Sequence, residues 1–155
     1  PQFSTQKIQL SGDILVNAIA KGSFKKVNYM NVKINSKDLK LPKQNIAGFD
    51  TPELDLSPAE VLFELKNAKD IKLKSFQIGG DKGPIKVLAD GNIKLNKNIT
   101  KSNLNLNGKM KISNDLLDQF SIATLFLGPK KEENEFYHFT LSGKLERPSM
   151  KVKNK

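Results

Sequence analysis

The sequence has no cysteine, no tryptophan and a single histidine. Without cysteine the chain has neither a disulfide framework nor a thiolate metal site, although this absence does not fix its compartment. The lone histidine, His138, has no partner for a metal site or for a serine–histidine pair. It alternates with Tyr137 and Phe139, and we therefore expect it on the polar face of a strand.

Long apolar runs and nucleotide-binding motifs are also missing. The longest apolar run, 122–127, is interrupted by Thr124 and is far shorter than the roughly 20 residues of a membrane-spanning helix. The glycine-rich stretch 79–83 joins two predicted strands and does not open a helix, so we interpret it as a turn and not as a phosphate loop. The acidic residues are scattered or lie in a polar loop. We predict a protein without catalytic residues, metal or cofactor.

Acidic residues are few relative to basic ones: 16 against 26, which gives a formal charge of +10. Such a charge attracts nucleic acid, anionic lipid or acidic proteins. However, Arg147 is the only arginine, and arginine is the preferred residue for bidentate phosphate and guanine contacts. Because the lysines mostly alternate with apolar residues, we expect a solvated sheet face and no specific nucleic acid. Simple electrostatic binding of an anionic polymer stays open as a third hypothesis.

Alternation of apolar and polar residues dominates the chain and predicts antiparallel strands with one wet face. It is clearest over 85–95, 103–112 and 137–145. In 71–78 the alternation slips in phase, which predicts a bulge near Lys74–Ser75. Turns are predicted at 67–70, 79–84 and 96–98. We predict one mainly β domain over 1–150, a curved antiparallel sheet forming a half-barrel or groove, followed by a basic tail over 151–155. The apolar face of 103–112 would line the groove through Leu104, Leu106, Met110 and Ile112.

Three segments allow two interpretations. Residues 57–60 resemble a helix capping box, but the alternation that follows favours a strand over 60–66. Residues 14–20 could form a short helix, and we favour a continuation of a first strand over 7–14. Residues 42–57, with Pro42, Gly48 and Pro52 and followed by Pro58, predict an irregular connection.

One α-helix is predicted over 114–127, packed on the sheet or capping it. Ser113 or Asn114 can cap its start, and Gly128–Pro129 ends it. A buried stripe follows the helical period, while Ile122, Leu125 and Phe126 fall on other faces. The helix is therefore either buried all round, or these three residues form a surface for a partner or a membrane.

Four glycines interrupt alternating segments on their apolar side: Gly12, Gly91, Gly108 and Gly143. Glycine weakens a strand interior, so a compensating role is expected. We interpret the four as lying at matching heights and curving the sheet around its apolar face. Independent turn or bulge glycines are the alternative.

The order of these features resembles a known family over about 140 residues. The residues that carry the resemblance follow one another along the chain: Leu10-Ser11-Gly12, Pro52-Glu53-Leu54-Asp55-Leu56, the hairpin 64–80, Gly91 to Leu95, Ser102 to Leu106, and Leu141 to Pro148. They resemble the C-terminal part of the periplasmic domain of the type II secretion system protein N (GspN) family, which belongs to a wider AsmA-like group. Ser57 and Asn67–Asp70 stand where the family commonly has glycine in turns.

The resemblance implies a periplasmic protein, held to the inner membrane by an anchor that lies outside this sequence. It implies a non-enzymatic structural component of a type II secretion system that docks other proteins of that system. The wider group suggests an alternative, a lipid or hydrophobic-ligand binding module in which the apolar face of the sheet lines an open groove. Whether the helix fills that groove discriminates between the two hypotheses.

Overall fold

The structure is a computed structural model that describes residues 8–23, 26–46, 48–120, 127–129, 131 and 135–153. Twelve strands, one α-helix and one 3-10 helix are formed by these residues. The strands are β1 (Leu15–Ser23), β2 (Lys26–Ser36), β3 (Lys40–Leu41), β4 (Gln44–Ile46), β5 (Phe49–Thr51), β6 (Leu54–Asp55), β7 (Ala59–Lys66), β8 (Asp70–Ile78), β9 (Ile85–Lys94), β10 (Asn103–Ile112), β11 (Tyr137–Lys144) and β12 (Arg147–Lys153). The helices are α1 (Asn114–Gln119) and the 3-10 helix Ile99–Lys101.

Eight strands form one antiparallel sheet, in the order β1-β2-β7-β8-β9-β10-β11-β12. Apart from the step from β2 to β7, each strand pairs with its neighbour in the chain. The sheet does not close, because β1 and β12 lie at its two edges. The prediction of a mainly β, curved antiparallel sheet with one helix near the C-terminus is confirmed.

The step from β2 to β7 is filled by a small insertion. In it, β3 pairs with β6 and β4 pairs with β5, as two separate two-stranded sheets. The backbone N–H of Gly79 donates to the carbonyls of Leu56 (2.9 Å) and Pro58 (3.1 Å). These bonds fix the insertion at the end of the main sheet where β8 finishes. The predicted irregular connection over 42–57 thus contains short strands.

The predicted bulge is present at the predicted place. Leu62 pairs with Ser75 and Phe63 pairs with Leu73, which leaves Lys74 without an opposite residue. The same shift separates Leu73 from Phe76 in the pairing with β9. The extra residue turns Phe76 back to the side of Leu73, so the phase slip in the sequence does not divide the apolar face.

The β7–β8 hairpin turn is also present, and it is formed without glycine. Asn67 and Ala68 both adopt φ of 55°, as the two central residues of a type I′ turn do, and the backbone N–H of Lys69 donates to the carbonyl of Lys66 (3.4 Å). Residues 59–66 form β7, which confirms the strand interpretation over the capping box. Residues 15–23 are likewise a strand and not a helix.

Two expectations about element positions are wrong, and one strand was not predicted. Gly12 lies outside the strands, because β1 begins at Leu15 and Ser11 makes only an isolated bridge to Lys40. The expected basic tail begins inside β12, where Lys151 and Lys153 pair with Thr140 and His138. β2 was not predicted at all, although Met30, Val32 and Ile34 alternate with polar residues.

The helix α1 begins at the end of β10. Ser113 is its N-cap, and its side-chain oxygen accepts a hydrogen bond from the backbone N–H of Leu116 (3.3 Å). The described helix ends at Gln119 with Phe120 as C-cap, and Leu127 is again helical. The part of the predicted helix between them, residues 121–126, lies outside the described residues.

Candidate functional site

An apolar face runs across all eight strands of the main sheet. Directly opposed residues of paired strands point to the same side, so the register defines which residues share it. We call these residues the apolar face: Val16, Ala18 and Ala20 of β1; Met30, Val32 and Ile34 of β2; Ala59, Val61, Phe63 and Leu65 of β7; Ile71, Leu73, Phe76 and Ile78 of β8; Ile85, Val87, Ala89, Gly91 and Ile93 of β9; Leu104, Leu106, Gly108, Met110 and Ile112 of β10; Tyr137, Phe139, Leu141 and Gly143 of β11; and Pro148, Met150 and Val152 of β12. None of these described positions carries a charged side chain.

Most of the apolar face is only half-buried. Val32, Leu73, Leu104, Tyr137 and Phe139 are buried, and most of the other members on the six inner strands are intermediate. Towards β1 the face becomes exposed, as with Val16. An apolar surface that spans eight strands and is largely half-buried is more than a closed core requires.

The described helix covers only one end of this face. Leu117 and Leu127 form a buried cluster with Tyr137, and Met110, Ile112 and Val152 pack against it. All four sheet residues in this cluster lie on β10, β11 or β12 near the end where α1 begins. Within the described residues, this cluster therefore does not include the apolar surface of β2, β7, β8 and β9.

Tyr137 links the segment after the helix to the sheet through two hydrogen bonds. Its hydroxyl donates to the carbonyl of Pro129 (3.2 Å) and accepts from the backbone N–H of Lys131 (3.3 Å). The Lys131 ammonium lies 5.9 Å from the centroid of the Tyr137 ring. A tyrosine that is only 2% exposed can be buried here because its hydroxyl has both partners.

A cavity of about 500 Å³ lies beside the helix, at the end of the apolar face. This volume is within the usual range for ligand sites. Its apolar wall is formed by Ile112, Leu117 and Tyr137. Three lysines and three acidic residues lie around the rest: Lys82, Lys111, Lys131, Asp81, Asp115 and Glu135. The cavity thus joins an apolar wall to a charged rim.

The predicted groove lining is on one face of β10, but its members have different surroundings. Leu104 is buried and Leu106 is half-buried in the middle of the apolar face. Met110 and Ile112 pack against the helix cluster. The predicted partner surface, Ile122, Leu125 and Phe126, lies outside the described residues.

The glycines of the sheet do not lie at matching heights. Gly91 is opposite Leu106, Gly108 is opposite Phe139, and Gly143 is opposite Leu104. They therefore occupy three successive rows of the apolar face. At Gly108 an added Cβ would lie 2.3 Å from Cζ of Phe139 and 2.8 Å from the carbonyl oxygen of Leu88. The Phe139 ring thus lies where a side chain of residue 108 would stand.

Gly91 has a different reason to be glycine. Its φ is +143°, and an added Cβ would lie 2.3 Å from the carbonyl oxygen of Asn105 on the neighbouring strand. Few residues other than glycine adopt such a φ. Two of the glycines Gly91, Gly108 and Gly143 therefore permit close contacts within the sheet, one with an aromatic ring and one with the backbone.

The opposite face of the sheet is mainly polar and rich in lysine, as predicted, and its apolar exceptions among the described side chains are Leu15, Ile19, Leu62 and Leu88. One row across it reads Lys94, Asn103, Lys144 and Arg147, on β9, β10, β11 and β12. His138 lies on the same side, exposed, opposite Lys109.

One carboxylate on the polar face is buried in a network of side chains. Glu64 forms an ion pair with Lys74, the extra residue of the bulge, and accepts a hydrogen bond from the Tyr29 hydroxyl (3.2 Å). These bonds, chiefly the one from Lys74, hold the pKa of Glu64 below its ordinary value, against the opposing effect of desolvation. The same pair raises the pKa of Lys74. The network joins β2, β7 and β8 on the side away from the apolar face.

The residues described here contain no group of three or more metal-ligating side chains. Within the same residues, no helix has the length and hydropathy needed to cross a membrane.

Comparisons with protein family models, with curated proteins and with solved structures found no match to this chain. The resemblance to the type II secretion system protein N family therefore stays a prediction from the sequence.

Proposed function

We propose that this protein is a non-enzymatic module that binds the hydrocarbon part of a lipid along its apolar face. The observation that carries the proposal is the apolar face itself, which crosses eight strands, is mostly half-buried, and is packed against the described helix only at the β10–β12 end. A well-packed interior under a covering helix would instead favour a purely structural role.

The dimensions of the apolar face suit a lipid tail. With strands about 4.8 Å apart, seven spacings between β1 and β12 give a strip roughly 34 Å long. One leaflet of a bilayer has a hydrocarbon depth of about 15 Å, half of the ~30 Å core. A single acyl chain would therefore occupy part of the strip. The polar head would lie at the charged rim of the 500 Å³ cavity, since that cavity joins the apolar wall to three lysines and three acidic residues.

The test is native mass spectrometry of the gently purified protein, before and after lipid extraction. We expect an added mass of lipid size that extraction removes. Leu106→Gln places an amide on the apolar face and should reduce the lipid-bound fraction several-fold. The matched control is Asn105→Gln, one residue earlier on the same strand and on the polar face, which should leave that fraction unchanged. Wild-type protein that carries no lipid, and that also fails to bind a fluorescent long-chain fatty acid, would refute the proposal.

A second candidate is a docking component of a type II secretion system in the periplasm, as the sequence resemblance implies. The observation that favours it is the exposure of Ile8, Leu10 and Ile14, which precede β1 and are not part of the apolar face. Photo-crosslinking from position 10 in cells that carry the secretion system tests it. Crosslinks to inner-membrane components of that system, absent when the crosslinker is moved to the polar face at position 105, would support docking. Crosslinks that do not differ between the two positions would count against it.

A further inference from the structure

The outer edge of β1 is the least protected part of the sheet. We infer that β1 pairs antiparallel with β1 of a second copy of this chain, centred on Ile19, so that two sheets join into one. The inference rests on the edge strands alone and does not require that lipid is bound.

β1 has the features of a strand that another strand can join. It is nine residues long and lies at the edge of the sheet. Its only charged residue is Lys21. Apolar side chains are exposed on both of its faces: Val16 is 56% exposed on the apolar face, and Leu15 and Ile19 are 58% and 66% exposed on the other. Edge strands normally carry charges, proline or bulges that prevent such pairing. In β1 the charge and the irregularity both lie near its end, at Lys21 and at the register shift between Lys21 and Gly22, which leaves Leu15 to Ala20 as a regular, uncharged edge.

The described chain before β1 does not cover this edge. Ser11 pairs with Lys40 of the insertion. The backbone N–H of Gln9 donates to the side-chain oxygen of Gln44 (2.9 Å), and the Gln44 amide donates back to the carbonyl of Gln9 (2.9 Å). These bonds direct residues 9–11 towards β3 and β4, away from the outer edge of β1.

The other edge of the sheet is protected, which limits how copies can join. β12 contains Pro148, which has no N–H to donate, and carries the exposed cations Arg147, Lys151 and Lys153. Head-to-tail assembly would need β12 to accept β1 and would produce rings or open chains of copies. Pairing of β1 with itself uses only the unprotected edge, and a two-fold axis closes the assembly as a dimer.

The pleat of β1 selects the register. The members of the apolar face on β1 are even-numbered: Val16, Ala18 and Ala20. When each even-numbered residue lies opposite an even-numbered residue of the second copy, the apolar faces of both copies lie on the same side of the joined sheet and form one continuous surface. An axis through the strand centre places Ile19 opposite Ile19 of the second copy and Lys21 opposite Asn17. Pairing of even-numbered with odd-numbered residues would put the two apolar faces on opposite sides of the joined sheet.

The absence of cysteine makes the register directly testable, because a single introduced cysteine reports one position. We expect Ile19→Cys to form a disulfide-linked dimer under mild oxidation. Ile99→Cys is the matched control, since both isoleucines are 66% exposed and Ile99 lies on the 3-10 helix, away from β1. Directly opposed residues of an antiparallel pair bring their Cα atoms to about 4.5–5.5 Å, within the reach of a disulfide.

Light scattering after size-exclusion chromatography, over a dilution series, tests the dimer without a crosslink. We expect wild type and Ile99→Lys to form a dimer that dissociates on dilution, and Ile19→Lys to be monomeric under the same conditions with an unchanged circular dichroism spectrum. Wild type that is monomeric throughout, a dimer that survives Ile19→Lys, or open-ended oligomers would overturn the inference. Equal crosslinking at positions 19 and 99 would also overturn it.

Discussion

The contact between Gly108 and the Phe139 ring gives a quantitative test of how the sheet is built. In Gly108→Ala the new Cβ would meet Cζ of Phe139 at 2.3 Å and the carbonyl oxygen of Leu88 at 2.8 Å. Alanine has the better backbone entropy, by about 0.5–1 kcal/mol, but overpacking of this kind costs about 1–3 kcal/mol. Because one of the two atoms belongs to the backbone and cannot rotate away, we expect a net loss of about 1–2 kcal/mol in the free energy of unfolding.

Urea unfolding followed by circular dichroism measures this loss. Gly80→Ala is the control, because an added Cβ there has its nearest neighbour at 3.5 Å, and it should change stability by less than about 0.5 kcal/mol. Shortening the ring with Phe139→Leu should reduce the cost of Gly108→Ala by roughly 0.5–1 kcal/mol, since interacting neighbours are not additive. A Gly108→Ala variant as stable as Gly80→Ala, or a cost unchanged in the Phe139→Leu background, would refute the reasoning.

Three further perturbations follow from the packing and the ion pair. Leu117→Ala should lower the free energy of unfolding by about 2–4 kcal/mol, because Leu117 is 2% exposed in the helix cluster. Ile99→Ala, at an exposed position, should lower it by less than about 1 kcal/mol. Similar losses in the two variants would contradict the packing of Leu117. Tyr137→Phe removes a hydroxyl with two hydrogen bonds and should lower the free energy of unfolding by about 1–3 kcal/mol in the same urea assay. An unchanged free energy of unfolding would show that these two bonds do not stabilise the fold. The lowered pKa of Glu64 means that its contribution to stability is present above about pH 4.5, the ordinary glutamate value, and disappears as the pH falls through the lower folded value. Wild type should therefore exceed Glu64→Gln in stability at pH 7 and lose that advantage in acid, and a difference independent of pH would contradict the assignment.

The strands that sequence alone predicted best are those whose alternation is regular. Residues 103–112 alternate nearly without a break, and β10 has the same bounds. The bulge at Lys74 was also predictable, because one inserted residue is the simplest way to shift the phase within an alternating strand. β2 was missed because its run of alternation begins only at Met30.

The glycines show where the sequence was insufficient. The alternation in the sequence showed that they lie on the apolar side of three strands. Their position along the strands relative to one another depends on the register, that is, on which residues of neighbouring strands pair. The register places Gly108 beside Phe139 and Gly91 beside Leu106, residues that are distant in the chain. Gly12 shares the same local pattern but meets the backbone of Asp38 at a φ of +126°, outside any strand.

The sequence by itself determined that the chain forms an antiparallel sheet with one apolar and one lysine-rich face, because side chains alternate with a period of two wherever the backbone is extended. Only the tertiary structure decided that the apolar faces of all eight strands join into one surface, and that the described helix packs against one end of it. It also decided that β1 has an open edge while β12 is protected. These properties depend on strand order and on contacts between distant segments, and no local pattern encodes them.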